Sequence, residues 1–151
     1  YSRPDLKGMG TTVVAVVVRD NVAHIAHAGD SRAYLVNKDG VEQITVDHSL
    51  VQNLVDRGEI TKEEAEHHPN KNVITRALGV DKRIDVEFSE IEMQENETLV
   101  LCTDGLSNCV NNSEMAEDIK DGQYYAFADR LVKRANKNGG NDNITVVAIA
   151  I

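Results

Sequence analysis

The sequence has little aromatic character. Phe, Tyr and Trp together make up 4% of the 151 residues, and Trp is absent. Hydrophobic residues still reach 41%, an ordinary share for a globular protein, so the core has to be built mainly from Val, Ile, Leu and Ala. No internal repeat, low-complexity tract or linker interrupts the chain. We therefore expect residues 1–151 to form one domain around a single aliphatic core.

Basic charge is also scarce, with 16 Lys and Arg against 25 Asp and Glu and a formal net charge of -9. A protein that binds nucleic acid needs a basic surface, so the composition argues against a nucleic-acid partner. The longest apolar stretch, residues 11–18, is too short to span a bilayer. We therefore expect neither nucleic-acid binding nor membrane insertion.

Cysteine is nearly absent as well. The two cysteines, Cys102 and Cys109, are too few for a disulfide framework, and their spacing fits no zinc pattern. Cys102 lies in an apolar run and is expected to pack as a small hydrophobic residue. This cysteine usage predicts a reduced, cytoplasmic protein. The chain begins with Tyr1 and enters a strand pattern almost at once, which indicates a piece of a longer protein.

The pattern along the chain predicts strands and helices in separate blocks. Apolar and β-branched runs predict strands over residues 11–18, 22–28, 31–36, 41–46, 84–91, 98–102 and 144–151. Helical spacing and capping signals predict helices over residues 49–57, from 61 to before Pro69, 113–119 and 124–136. The first strand does not alternate and is expected to be buried on both faces. This order predicts an α+β fold, with sheets covered by helices.

The middle of the chain has a different character. Residues from about 47 to 79 are polar and short-helical, and they are inserted between predicted strands. We expect this segment, called the flap below, to cover a functional site.

Three aspartates stand in short glycine-bearing turns at the ends of apolar runs, namely Asp30, Asp104 and Asp142. Hard divalent cations such as Mg²⁺ and Mn²⁺ prefer carboxylate oxygens held in this way. Asp30 and Asp104 follow strands, whereas Asp142 precedes one, so the three meet only if the last strand is antiparallel to the other two. The alternative is that these aspartates only cap backbone N–H groups in their turns.

Six stretches of the sequence form a recognisable pattern. They are GMGTT at 8–12, AGDSR at 28–32, DHSLV at 47–51, ITRALG at 74–79, TDGL at 103–106 and GNDNITV at 140–146. In this order, across nearly the whole chain, they resemble the metal-dependent type-2C family of protein serine/threonine phosphatases in its bacterial form. The resemblance implies an antiparallel β-sandwich flanked by helices, a four-layer αββα arrangement.

The same resemblance implies a chemistry and a set of site residues. A water activated at a binuclear Mg²⁺ or Mn²⁺ centre would hydrolyse phosphoserine and phosphothreonine in proteins. Asp104 and Asp142 would be ligands of that centre, and Asp30 would help Asp104 to hold a third, weaker ion. Asn143 would orient the loop of the last ligand.

Two further residues are candidates for the substrate side of the site. His48 matches the family pattern beside the flap. Arg76, like Arg32, has the geometry to contact phosphate with both arms of its guanidinium group. The alternative for each arginine is an ion pair with a nearby carboxylate.

The family's first half has no counterpart in this chain. That half carries a phosphate-contacting Arg, an Asp-Gly turn whose Asp bridges both metals, and a candidate general-acid His. We therefore expect a partial domain without its N-terminal strands, belonging to an active parent phosphatase. The isolated chain is expected to be weak or inactive and to self-associate through exposed sheet edges.

The expected partners are phosphoproteins and, in bacteria, a cognate serine/threonine kinase and its substrates. The alternative function is a non-catalytic regulatory or binding module that retains the phosphatase fold. A calcium-binding structural domain is a weaker alternative, because no loop carries carboxylates at alternate positions as an EF-hand does.

Overall fold

The computed structural model describes residues 3–120 and 124–151, which form two antiparallel β-sheets with helices. The strands are β1 (Val13–Arg19), β2 (Val22–Ala28), β3 (Arg32–Asn37), β4 (Gly40–Gln43), β5 (Glu87–Glu92), β6 (Thr98–Cys102) and β7 (Val146–Ala150). One sheet has the order β1-β2-β5 and the other β4-β3-β6-β7, and every neighbouring pair is antiparallel. The predicted α+β class with two antiparallel sheets is therefore confirmed.

The helices occupy two stretches of the chain. They are α1 (Leu50–Asp56), α2 (Lys62–Glu66), α3 (Asp104–Ser107), α4 (Asn112–Ile119) and α5 (Phe127–Lys137), with 3-10 turns at Pro4–Leu6 and Tyr124–Ala126. The capping box predicted at Thr61 is present at the start of α2, and a second one, from Asn111 and Glu114, begins α4. Helices α1 and α2 lie within the range 47–79 between β4 and β5. The role of that range as a flap stays a prediction, as does the assignment of 1–151 to a single partial domain.

The expectation that the first strand is buried on both faces is wrong. β1 lies at the edge of the order β1-β2-β5, and its residues alternate between half-buried and exposed positions. Val17 on the open face is 66% exposed. The unbroken β-branched run therefore reflects strand propensity rather than burial on both sides.

Two groups of buried side chains form the core. One lies between the sheets and consists of Ala23, Ile25, Ala33, Met93, Leu99 and Leu101. The other lies between the four-stranded sheet and helices α4 and α5, and includes Tyr34, Val100, Cys102, Met115, Phe127 and Leu131. Strand β6 serves both groups, because alternate residues point to opposite faces.

Cys102 packs in the second of these groups, as the sequence predicts. It is 3% exposed, and burial raises the pKa of its thiol to about 12. The thiol therefore stays protonated and behaves as a small apolar group. Over the described ranges, the helices are too short and too polar to cross a lipid bilayer.

Candidate metal centre

The three aspartates lie beyond the same end of three neighbouring strands. In the four-stranded sheet, Arg32 at the start of β3 is opposite Cys102 at the end of β6, and Cys102 is opposite Val146 at the start of β7. Asp30 precedes β3, Asp104 follows β6 and Asp142 precedes β7. The last strand runs antiparallel to β6, which is the topology the sequence requires if the three are to meet.

The negative charge of Asp104 acts on the carboxyl group of Asp30. Burial raises the pKa of the Asp30 carboxyl, and the negative charge of Asp104 raises it further, with a smaller contribution from Asp47. Two carboxylates that repel each other in a partly buried site are stabilised by a cation between them. This pair therefore has the donor chemistry that a hard divalent ion requires.

The loop of Asp142 is held against the turn that carries Asp104. A Cβ atom at Gly105 would lie 2.3 Å from the carbonyl oxygen of Asn143, so only glycine allows this approach. The hydroxyl of Thr103 donates to the same oxygen at 3.2 Å and accepts from the N–H of Thr145 at 3.1 Å. These contacts fix the two loops side by side.

The carboxylate of Asp142 itself is exposed and accepts a hydrogen bond from the N–H of Asn143 at 2.7 Å. One of its oxygens thus caps the turn, as the alternative interpretation of these aspartates expects. Within the described ranges, the three aspartates do not form one cluster of ligand atoms within 4.8 Å; the residues that do are His27, His48 and Glu87. The structure thus brings the loops of Asp104 and Asp142 into contact and places Asp30 within the electrostatic influence of Asp104. It does not bring the carboxylate oxygens of all three within 4.8 Å of one another.

The turn that carries Asp30 is held on two sides. Gly29 has a φ of +116°, and a Cβ atom there would lie 2.3 Å from a side-chain carbon of Thr12. On the other side, the N–H of His48 donates to the carbonyl of Gly29 at 2.9 Å, and the N–H of Gly29 donates to Nδ1 of His48 at 3.1 Å. Ser31 completes the turn through a hydroxyl contact with Thr12 at 2.8 Å.

Arg32 binds a carboxylate at the start of the flap. Its Nε and one terminal nitrogen donate to the two oxygens of Asp47 at 2.8 and 2.6 Å, and its other terminal nitrogen donates to the hydroxyl of Tyr34 at 2.9 Å. Burial disfavours the guanidinium charge, but the hydrogen bonds with Asp47 hold the pKa of Arg32 above its ordinary value. For Arg32, the ion pair is thus the alternative that the structure supports.

His48 links this turn to Arg76 and to β5. Because its Nδ1 accepts from Gly29, its Nε2 carries the proton and donates to Glu87 at 3.0 Å. A terminal nitrogen of Arg76 lies 3.0 Å from the same Nε2. Burial lowers the pKa of His48, Glu87 opposes this, and Arg76 and His27 lower it further. The imidazole is therefore held neutral, which keeps Nδ1 available to Gly29.

The cluster of His27, His48 and Glu87 is unsuited to a metal ion. The two imidazole rings are stacked 4.5 Å apart at 10°, so their in-plane lone pairs run parallel and do not converge. Nε2 of His27 donates to the carbonyl of Val46, and Nδ1 of His48 is taken by Gly29. The nearby guanidinium of Arg76 would also repel a cation. These histidines position the backbone.

Sequence reasoning missed the contacts that support the aspartates. The Arg32–Asp47 pair joins residues 15 apart, and the Gly29–His48 pair joins residues 19 apart. No local pattern marks either pair. The motifs AGDSR and DHSLV contain all four residues, so the available signal was that the two motifs occur together.

Comparison with known proteins identifies the family to which this chain belongs. A model of the protein phosphatase 2C family matches residues 2–147. The serine/threonine phosphatase stp of Listeria innocua is 46% identical over 149 residues, which cover 98% of this chain and 59% of that protein. Protein phosphatase PhpP of Streptococcus pneumoniae is 40% identical, over 96% of this chain and 59% of that protein.

Solved structures agree with this assignment. The crystal structure of the phosphatase Stp1 from Staphylococcus aureus superposes with a TM-score of 0.94 at 40% identity, over 99% of this chain and 59% of that one. The catalytic domain of the phosphatase PstP, solved with two manganese ions, gives 0.85 at 38% identity, over 97% and 60%. The chain therefore belongs to the protein phosphatase 2C family, and it spans about three fifths of the length of these relatives.

Proposed function

We propose that the protein carrying this chain hydrolyses phosphoserine and phosphothreonine in proteins at a binuclear Mn²⁺ or Mg²⁺ centre. The observation that carries the proposal is the arrangement at one end of the four-stranded sheet. There the charge of Asp104 raises the pKa of Asp30, and the loop of Asp142 is held against Gly105. The relative PstP has been crystallised with two manganese ions, which supports a metal-dependent reaction in this family.

Asp104 and Asp142 are the proposed ligands of the binuclear centre, and Asp30 with Asp104 the proposed holders of a third ion. Their carboxylate oxygens are the donors that hard divalent cations prefer. When bound, such ions supply an activated water and neutralise charge on the phosphate oxygens.

The other residues of the site have supporting roles in this proposal. His48 and Thr12 fix the turn before Asp30. Thr103 holds the loop in which Asn143 follows Asp142. Arg76 faces His48 and donates to the carbonyl of Asp85, so its proposed part is to place the end of the flap rather than to bind phosphate.

The wider setting follows from the same proposal. The substrates are phosphoproteins, and the proposed counterpart is a serine/threonine kinase whose products the enzyme dephosphorylates, in the cytoplasm. The isolated chain is proposed to have weak activity and to self-associate. Strands β1 and β7 are each at one edge of a sheet, and Val17 and Val147 on them are 66% and 48% exposed.

The test is release of phosphate from a phosphothreonine peptide by the full-length protein with added Mn²⁺. Asp104→Asn should abolish the activity, whereas Asp39→Asn at the tip of the β3–β4 hairpin should not change it. Release without metal, or equal activity in both variants, would overturn the proposal. Tight peptide binding without any release would instead support the non-catalytic module.

A further inference from the structure

A groove lined by Asp30 and Asp104 lies between the flap and the segment that contains α3 and the start of α4. It has a volume of about 960 Å³ and is open to solvent. Its lining includes Arg32, Tyr34 and Thr45. We call this cleft the flap groove. A groove of this volume that is lined both by candidate metal-binding residues and by flap residues has room for the polypeptide next to a phosphorylated residue.

The charges near the metal end of the flap groove are already engaged. Asp47 is bound by Arg32. On the far wall, the carboxylate of Glu114 accepts from the N–H of Asn111 and from the side chain of Asn138. Asp30 and Asp104 are assigned to the metal centre by the proposed function. None of these groups is free to select a substrate side chain.

The flap wall carries the available charge. Lys62 and Lys71 both line the groove and are exposed. In the described part of the chain, neither ammonium group forms an ion pair or a hydrogen bond. The flap carboxylates that also line the groove are Asp47, which Arg32 already binds, and Glu66. Two unpaired lysines therefore stand beside one carboxylate that no arginine or lysine binds in the described part of the chain. The opposite wall offers uncharged groups from Asn108, Asn112 and Ser113.

We propose that the flap groove binds an acidic segment of the phosphoprotein substrate next to the phosphorylated residue, with Lys62 and Lys71 as the specificity-determining residues. This inference rests on the proposed function, since it takes the phosphate to lie at the aspartate end. In this proposal the lysines bind acidic side chains that flank the phosphorylated residue, and they do not contact the reacting phosphate. Their effect is therefore expected on substrate affinity, with the chemical step unchanged.

The first experiment measures kcat and KM of the full-length protein with Mn²⁺ on three phosphothreonine peptides that differ only in having glutamate, glutamine or lysine flanks. The glutamate peptide should show the lowest KM, by about threefold for each lysine engaged, and this preference should shrink as salt is raised. In the Lys62→Glu/Lys71→Glu variant the order of the peptides should reverse, with kcat within about twofold. The double arginine variant should retain the original preference.

The control is Lys133→Glu, which makes one such reversal of charge on α5, outside the groove, and is compared with each single groove variant, Lys62→Glu and Lys71→Glu, as well as with the double variant. It should leave the peptide preference unchanged. Hydrolysis of p-nitrophenyl phosphate, which has no flanking residues, should be the same in every variant. A second readout needs no turnover: anisotropy of a labelled, unphosphorylated glutamate peptide in EDTA should show weaker binding for the groove variant only.

The outcomes separate the two proposals. If the parent hydrolyses p-nitrophenyl phosphate but shows equal KM for the three peptides, the groove inference is overturned and the proposed function stands. The inference is also overturned if Lys133→Glu changes the preference as much as the groove variant does. If neither p-nitrophenyl phosphate nor any peptide is hydrolysed, the proposed function fails, and the inference fails with it.

Discussion

His48 and Gly29 exchange two hydrogen bonds across 19 residues of sequence. The backbone N–H of His48 donates to the carbonyl of Gly29 at 2.9 Å, and the N–H of Gly29 donates to Nδ1 of His48 at 3.1 Å. Gly29 directly precedes Asp30, so the first residues of the flap determine the position of a candidate metal-binding carboxylate. We expect such supporting contacts to matter for the site as much as the carboxylates do.

Replacement of His48 should loosen the Asp30 turn. His48→Ala leaves the buried N–H of Gly29 without an acceptor and removes the ring stacked on His27, so we expect a loss of about 2–4 kcal/mol in the free energy of unfolding. His48→Asn places an acceptor near the same position and should recover about half of this loss. Urea denaturation measures both. Equal losses in the two variants would show that the hydrogen bond to Gly29 contributes nothing.

The neutral state of His48 makes stability depend on pH. Its pKa is lowered by burial and by the charge of Arg76, so the unfolded chain binds a proton more readily than the folded one. The contribution of neutral His48 to the free energy of unfolding is complete above the ordinary pKa of histidine, near 6.5, and is lost as the pH falls below that value. The free energy of unfolding should therefore decrease between pH 7.5 and 5.5, and less so in His48→Asn. An identical decrease in His48→Asn and in the parent would contradict this expectation. The control is His24→Asn, which replaces an exposed histidine and should show the same decrease as the parent.

Gly105 should tolerate no side chain. A Cβ atom there would lie 2.3 Å from the carbonyl oxygen of Asn143, so Gly105→Ala has to push the Asp142 loop away from Asp104. We expect a loss of about 1–3 kcal/mol in the free energy of unfolding and weaker Mn²⁺ binding. Ser107→Ala on the same short helix should change both by little. Unchanged Mn²⁺ affinity in Gly105→Ala would show that the two loops need not touch.

The Arg32–Asp47 pair should require arginine. Arg32→Lys keeps the charge but loses the two-armed contact and the bond to Tyr34, so a loss of about 1–3 kcal/mol is expected in thermal or urea denaturation. Arg57 offers a contrast, because its side chain is 71% exposed and lies 3.9 Å from Glu59. Arg57→Lys should cost less than about 0.5 kcal/mol. Similar losses in the two variants would mean that the geometry at Arg32 is unimportant.

Hydrophobic periodicity and capping motifs were enough to predict those strands and helices that depend on neighbouring residues in the sequence. Strand β2 occupies the predicted residues 22–28, and the capping box at Thr61 begins a helix as expected. Other bounds shifted: β4 ends at Gln43 rather than near residue 46, and β5 begins at Glu87 rather than at 84. Ile44, beyond the end of β4, packs against the core between the sheets, and Ile84 and Val86, before β5, are half-buried. Hydrophobicity alone therefore extended both predictions too far.

The site was predictable only in part, for a physical reason. The aspartates stand in turns that the sequence reveals. That they lie beyond the same end of three neighbouring strands could be inferred only once the topology was known. The short helix α3 that begins at Asp104 was missed, since four residues carry no periodic signal. The supports of Asp30 come from side chains distant in sequence, and such pairs are set by tertiary packing rather than by local propensity.

The central claim is that Asp104 belongs to a metal centre. Its most direct test is a calorimetric titration of Mn²⁺ into the full-length protein, into Asp104→Asn and into the control Asp39→Asn. We expect the parent and Asp39→Asn to bind Mn²⁺ alike and Asp104→Asn to lose this binding. Titration curves for Asp104→Asn that match those of the parent would contradict it.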